Sequence, residues 1–174
     1  MKDWNERQKR LLNELILANG ALSGAELAER FNVTRQVVVH DIALLRATGY
    51  PIVSTPRGYR YLAKEAIQTK KQHILSIYHP PELAGLELQT LVDFGFHIKD
   101  VFVDHPLYGE LRGSLLLSSR RDVELFLQQS LGVKGSLLSG LTDGYHFHTI
   151  EAESMDYLPE VIEALKQKGI QVFE

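Results

Sequence analysis

The sequence predicts an α+β protein in two parts, and three observations carry that prediction. Apolar residues recur at helical spacing through the first 50 positions, short β-rich runs alternate with helical stripes from residue 73 onward, and the charge changes sign between the two stretches. Of 174 residues, 44% are hydrophobic and 24% charged, which is enough apolar surface to bury a core. Residues 1–64 hold 10 Lys or Arg against 6 Asp or Glu, and residues 65–174 hold 9 against 16. The formal charge of −3 therefore conceals a basic N-terminal third and an acidic remainder. The composition changes around Lys64–Lys71, which sets expected boundaries of 1–64 and 72–174 with a linker at 65–71. No apolar run approaches the roughly 18 residues of a membrane helix. No secretory pattern opens the chain, and with no cysteine there are no disulfides or thiolate zinc sites. A cytoplasmic protein is expected.

In the basic third, Leu11, Leu12, Leu15 and Ile16 predict an amphipathic helix over residues 5–18, with Gly20 as its stop. Ser23-Gly-Ala-Glu26 is a capping-box pattern that opens a second helix bearing Ala25, Leu27, Ala28 and Phe31. Asn32-Val33 is a turn, Thr34 caps a third helix running to about Ala47, and Gly49 ends it. On that helix Val38, Ile42 and Leu45 form the inward stripe, while Gln36, His40 and Ala43 point the opposite way. Arg35, Val37 and Val39 flank the outward face. Exposed valines suit thymine methyl groups, and Arg35 and Gln36 can reach base edges in a major groove.

Ile52-Val53 and Tyr59–Leu62 are β-rich around the turn signal Pro56-Arg57-Gly58, so a two-stranded wing is expected, with Arg57 at its tip and Arg60 on one strand. Both arginines are placed for phosphate or minor-groove contact. The stretches LSGAELAERFNVTRQVVVHDIALLRATG and PIVSTPRGYRYL resemble the winged helix-turn-helix of bacterial repressors, including that of the biotin operon repressor. The candidate DNA-contacting set is Thr34, Arg35, Gln36, Val37, Val39, His40, Arg57 and Arg60.

The acidic part predicts a strand at His73–Tyr78, a helix over Pro80–Phe94 with prolines in its first turn, and strands at Ile98–Asp104 and Leu111–Leu117. Ser119 opens a helix with Val123, Phe126, Leu127 and Leu131 on its buried stripe. Leu137–Leu141 and Tyr145–Ile150 are expected to pair as a hairpin around Thr142-Asp143-Gly144. Leu158, Val161, Ile162 and Leu165 mark a last helix stopped by Gly169, and Ile170–Phe173 closes as a strand. Helices on one face of a mixed or antiparallel sheet follow.

Two features of this part are chemically unusual. In Tyr145-His-Phe-His-Thr149, strand alternation puts His146 and His148 on one face, a bidentate clamp for a metal. Glu87 falls among Leu83, Leu86, Leu91 and Phe94 on an apolar helix face, where a carboxylate is costly unless paired or coordinated. His79 precedes that helix. Three imidazoles and one carboxylate suit zinc, nickel or iron, one ion per chain, far better than calcium or magnesium. The plainer alternatives are ordinary strand histidines and a Glu87 paired with an arginine such as Arg112. His105, in a strand-end turn, is a further candidate ligand or a simple hydrogen-bonded imidazole; His73 and His97 carry no signal.

With these residues in view, the whole chain resembles the nicotinate-responsive repressors of NAD biosynthesis, which join a biotin-repressor-like winged helix to a three-histidine (3H) domain. The matching elements are HPPELAGLE from His79, DHPLYGE at 104–110, SSRRDVELF at 118–126 and GYHFH at 144–148. The resemblance implies a non-enzymatic, dimeric repressor of genes for NAD synthesis or niacin uptake. It implies operator DNA as partner, nicotinic acid as co-repressor and a divalent metal on His79, Glu87, His146 and His148. His105, Tyr108, Arg112, Arg120 and Arg121 are candidates for contacting the effector, the arginines through its carboxylate. The rivals are a metal-responsive repressor without organic effector and a metal-dependent hydrolase fused to a DNA-binding domain. A bifunctional biotin ligase is not expected, since the stretch after residue 64 is short for that catalytic domain and shows no glycine/arginine-rich adenylate loop.

Overall fold

In the computed structural model, which describes residues 4–62, 70–131 and 137–173, the chain forms two units, Met1–Gln68 and Thr69–Glu174. The first begins with helix α1 (Glu6–Leu17). Its start is a reciprocal cap that the sequence reading overlooked: Gln8 N donates to Asn5 Oδ1 at 2.9 Å and Asn5 N to Gln8 Oε1 at 3.3 Å. The helix ends at Ala18, whose backbone is already extended, and not at Gly20. Helix α2 spans Gly24–Arg30 and helix α3 spans Arg35–Ala47. Ser23 Oγ accepts from Glu26 N at 3.1 Å, but only this half of the expected capping box forms. The Glu26 carboxylate is drawn one turn forward to Arg30, at 2.7 Å. Thr34 caps α3, and Gly49 takes the left-handed conformation (φ +96°) that ends it.

Leu11, Leu15, Leu27, Val38, Ile42 and Leu45 are almost solvent-free and make one core with Ile52. Strands β1 (Ile52–Thr55) and β2 (Gly58–Tyr61) form the antiparallel wing. Strand β2 is tied to the α1–α2 connection by Tyr59 N to Leu22 O at 2.8 Å and Leu22 N to Tyr59 O at 2.9 Å. Only glycine fits at position 58: φ is +122°, and a Cβ would lie 2.3 Å from the Leu22 carbonyl oxygen.

The second unit runs β3 (Lys71–Tyr78), a 3-10 turn (Pro81–Leu83), α4 (Ala84–Asp93), β4 (His97–His105), β5 (Gly109–Leu117), α5 (Arg120–Leu131), a 3-10 segment (Leu138–Thr142), β6 (Tyr145–Ala152), α6 (Leu158–Gln167) and β7 (Gln171–Phe173). The strands form one sheet in the order β5-β4-β6-β3-β7 with every pair antiparallel. Leu75, Ile77, Ile98, Leu117, Ile150 and Val172 from the strands share a single core with Leu88, Leu91, Val123, Val161 and Leu165 from the helices. Each such side chain contributes about 1.5–3 kcal/mol by leaving water. This is the α+β class that the periodicities predicted.

Several local expectations are corrected. Lys71 is the first residue of β3 and not linker; residues 65–69 lie outside those described. The helix expected from Pro80 starts as a 3-10 turn and becomes α-helical only at Ala84. Leu137–Leu141 does not form a hairpin strand: Leu138–Thr142 is 3-10, and β6 pairs instead with β3 and β4. Short apolar runs do not distinguish these states by pattern, and Leu138 lies over Gly113 of β5. Leu86 and Leu131 are exposed rather than buried.

Candidate nucleic-acid interface and candidate metal centre

On α3, the inward stripe is closed to solvent and the outward one is open. Arg35, Gln36, His40 and Ala43 are exposed, Val39 is 38% exposed, and Val37 is half-buried. The face is thus more polar than its two valines implied. Arg57 and Arg60 on the wing are exposed as well. The helix is set against the wing by Arg46, which donates to the Ile52 carbonyl and to Ser54 Oγ, both at 2.7 Å. Behind α3 sits a buried carboxylate that sequence reasoning did not single out. Asp41 is 1% exposed and receives Arg7 Nε at 2.7 Å and Gln8 Nε2 at 2.9 Å, which locks α3 to α1. Burial acts to raise its pKa, but the Arg7 and Gln8 bonds outweigh that and hold it below the ordinary value.

In the second unit, β3 and β6 lie side by side with Ile77 opposite His146 and Leu75 opposite His148. His79, just past the end of β3, therefore falls beside the start of β6. There Gly144 (φ +98°) leaves room for it: a Cβ at 144 would lie 2.5 Å from the His79 carbonyl oxygen. Glu87 descends from the first turn of α4, where the helix dipole favours an anion. All four side chains are buried.

Their hydrogen bonds fix the chemistry. His79 Nδ1 donates to the Pro80 carbonyl at 2.7 Å, His146 Nδ1 to that of Gly144 at 3.0 Å, and His148 Nδ1 to that of Asp100 at 2.7 Å. A carbonyl only accepts, so each Nδ1 carries a proton, and Nε2 is the ring atom left to face the carboxylate. All three Nε2 atoms turn to one carboxylate. His79 and His146 lie 2.6 and 3.3 Å from Glu87 Oε2, and His148 lies 3.1 Å from Oε1. Oε1 takes no aligned hydrogen bond among the described residues. Donor atoms of His79, Glu87 and His146 all fall within 4.8 Å of one another, a group that could hold a metal ion. Burial opposes charge throughout, yet His148 and the other imidazoles keep the Glu87 carboxyl well below its usual range. In turn Glu87 holds His79 and His148 above the ordinary imidazole value.

The remaining candidates do not join this cluster. Arg112 lies on the opposite face of the sheet, bonded to Asp100 at 2.7 Å and Glu110 at 2.9 Å, so it is not the partner of Glu87. Arg120 grips Asp93, at the C-terminal end of α4, at 2.7 and 2.5 Å. Arg121 is exposed. His105 stacks on Tyr108 at the β4–β5 turn, its Nδ1 accepting from Leu107 N at 3.2 Å and Tyr108 N at 3.3 Å.

An open helix face beside a basic wing, joined in sequence to a unit where three imidazoles converge on one carboxylate, defines a DNA-binding regulator of two units. Residues 7–60 match an HTH domain and residues 72–174 match the 3H domain. The chain is 38% identical over 167 residues to transcription repressor NadR of Bacillus subtilis (strain 168), covering 95% of this chain and 93% of the relative. It is 39% identical over 169 residues to probable transcription repressor NiaR of Thermotoga maritima (strain ATCC 43589 / DSM 3109 / JCM 10099 / NBRC 100826 / MSB8), covering 97% and 95%. A similarity to transcriptional repressor CcpN of Bacillus subtilis (strain 168), at 35%, spans 65 residues, which is 37% of this chain and 30% of that one. The chain belongs to the 3H-domain family of transcription repressors, and it is a regulator rather than an enzyme.

Proposed function

We propose that this chain is a cytoplasmic, homodimeric repressor of genes for NAD synthesis or niacin uptake, with nicotinic acid as co-repressor. In this reading residues 1–64 grip operator DNA and residues 72–174 hold one divalent transition ion (zinc, nickel or iron) on His79, Glu87, His146 and His148. One observation carries the metal: three imidazoles donate Nδ1–H to backbone carbonyls and aim their Nε2 atoms at a single buried carboxylate. Once their Nε2 protons are lost, three imidazole nitrogens and one carboxylate make a donor set suited to a divalent transition ion. The bound ion would offer open coordination positions to the carboxylate or ring nitrogen of nicotinate. The relatives named NadR and NiaR support the regulatory role.

The proposed DNA contacts are the side chains of the outward α3 face and the wing, all exposed except the half-buried Val37. Arg35 and Gln36 read base edges, Val37, Val39 and His40 line the groove, Thr34 sits at the helix start, and Arg57 and Arg60 hold phosphates. A dimer must present its two α3 helices about 34–36 Å apart to meet successive major grooves. An effector shifts that arrangement only through its differential affinity for the two states. The test is operator titration with the metal-loaded chain, with and without nicotinate, nicotinamide and a chelator. Binding should tighten with nicotinate and be lost with chelator. An operator affinity indifferent to nicotinate would end the co-repressor reading, and a response to metal alone would replace it with a metal sensor.

A further inference from the structure

The geometry points to Asp100 and Arg112 as positioning residues that set the metal centre from the opposite face of the sheet. This inference rests on the metal reading above. Asp100 stands at a register shift in β4: Ile98 faces Ile150 while Asp100 faces Thr149, which makes Lys99 the extra residue of a bulge. Its two ends serve the two faces. The backbone carbonyl accepts His148 Nδ1–H at 2.7 Å, which fixes the tautomer and aims Nε2 at Glu87. The carboxylate, 5% exposed with its residue, is held by Thr149 N at 3.1 Å through Oδ1 and by Arg112 Nη1 at 2.7 Å through Oδ2. Arg112 Nη1 also reaches Thr149 Oγ1 at 3.3 Å.

Arg112 is in turn held flat. Its guanidinium carbon lies 3.9 Å from the Phe102 ring centroid, and Phe102 stacks on Phe147 at 5.0 Å with 13° between the planes. Phe147 sits between His146 and His148 on β6, pointing the other way. A continuous set of contacts therefore runs from a half-exposed arginine, through a bulged backbone, to the imidazole of His148. A bulge is the part of a strand least fixed by its ladder, so the carboxylate clamp decides where the Asp100 carbonyl sits. Metal-ligating imidazoles depend on such partners, whose loss weakens metal binding about 10–100-fold.

The experiment compares wild type with Arg112→Gln, Asp100→Asn and, as a charge-matched control remote from the site, Lys166→Gln. Zn2+ affinity is read by calorimetry, the ligand field by the visible bands of the Co2+-loaded chain, and the His148 Nδ1 proton by 15N-resolved NMR of the metal-free chain. Expected are roughly 10-fold weaker Zn2+ binding, altered Co2+ bands and faster Nδ1 proton exchange in Arg112→Gln and Asp100→Asn. Lys166→Gln should match wild type. Arg112 is partly exposed, so Arg112→Gln keeps the test open if Asp100→Asn fails to fold. A folded Arg112→Gln with unchanged Zn2+ affinity, Co2+ bands and Nδ1 exchange would overturn the coupling alone. A wild-type chain that takes up no Zn2+ or Co2+ would overturn the metal reading and this inference with it.

Discussion

At the scale of single residues, protonation is what the buried groups control. Because each Nδ1 of the three buried imidazoles is committed to a carbonyl, the proposed metal would bind only through Nε2, and only when that atom carries no proton. Burial lowers the pKa of His79 and His148, but Glu87 more than reverses this, so protons are retained on them in the metal-free chain above the ordinary imidazole value. Metal uptake must displace those protons. Zn2+ affinity should therefore fall as pH is lowered, and calorimetry in buffers of different ionisation enthalpy should show net proton release. Uptake without proton release would contradict the assignment of Nε2 as the ligand atom. Asp41 makes the opposite kind of prediction. Its folded pKa lies below that of the unfolded chain, about 3.9. Its stabilising contribution is thus complete above the unfolded value and disappears as pH falls through the folded one. The urea midpoint of the N-terminal unit should drop over that acid window in wild type, and Asp41→Asn, less stable near neutrality, should converge on it in acid.

At the scale of elements, the glycine beside His79 shows how tightly the site is built into the sheet. Gly144→Ala would force an L side chain into φ +98° and drive its Cβ to 2.5 Å from the His79 carbonyl. The conformation alone costs about 1–2 kcal/mol, and relief of the clash must separate the end of β3 from the start of β6. Thermal unfolding should show that loss, and Zn2+ affinity should fall with it. A variant with wild-type melting and wild-type affinity would mean that the strands are not held this closely. Such turn residues were legible in the sequence, as were the helices of the first unit, because periods of 3.6 and 2 and the caps at Thr34 and Gly49 depend on neighbours a few positions away. His79, Glu87, His146 and His148 stood out for a related reason, since a carboxylate on an apolar stripe and a His-x-His strand are both local anomalies. What stayed hidden depends on register and long-range pairing. The bulge that turns the Asp100 carbonyl to His148, and the bonds from Arg7 and Gln8 to Asp41, join residues 48, 34 and 33 apart. The 3-10 fold of Leu138–Thr142 is also tertiary in origin, for a short apolar run over Gly113 carries no distinguishing period.

At the scale of the whole molecule, the split of charge assigns the partner to one end of the chain. A net of +4 over residues 1–64 against −7 over 65–174 favours polyanion contact with the first stretch and disfavours it with the second. The two exposed basic surfaces of the N-terminal unit should nevertheless act differently. A side chain on a phosphate releases condensed counterions whatever the base sequence, whereas a side chain on a base edge discriminates without changing the counterion count. Arg57→Ala at the wing should weaken operator and non-operator DNA together and reduce the slope of log K against log salt by about 1. Gln36→Ala on α3 should leave that slope intact while narrowing the gap between operator and non-operator by about 1–3 kcal/mol. Binding isotherms for both DNAs at several salt concentrations separate the outcomes, because slope and specificity ratio are independent readings of the same curves. Equal loss of specificity in both variants would contradict this division of labour between helix and wing; a salt slope changed by Gln36→Ala and not by Arg57→Ala, with specificity lost only in Arg57→Ala, would reverse it.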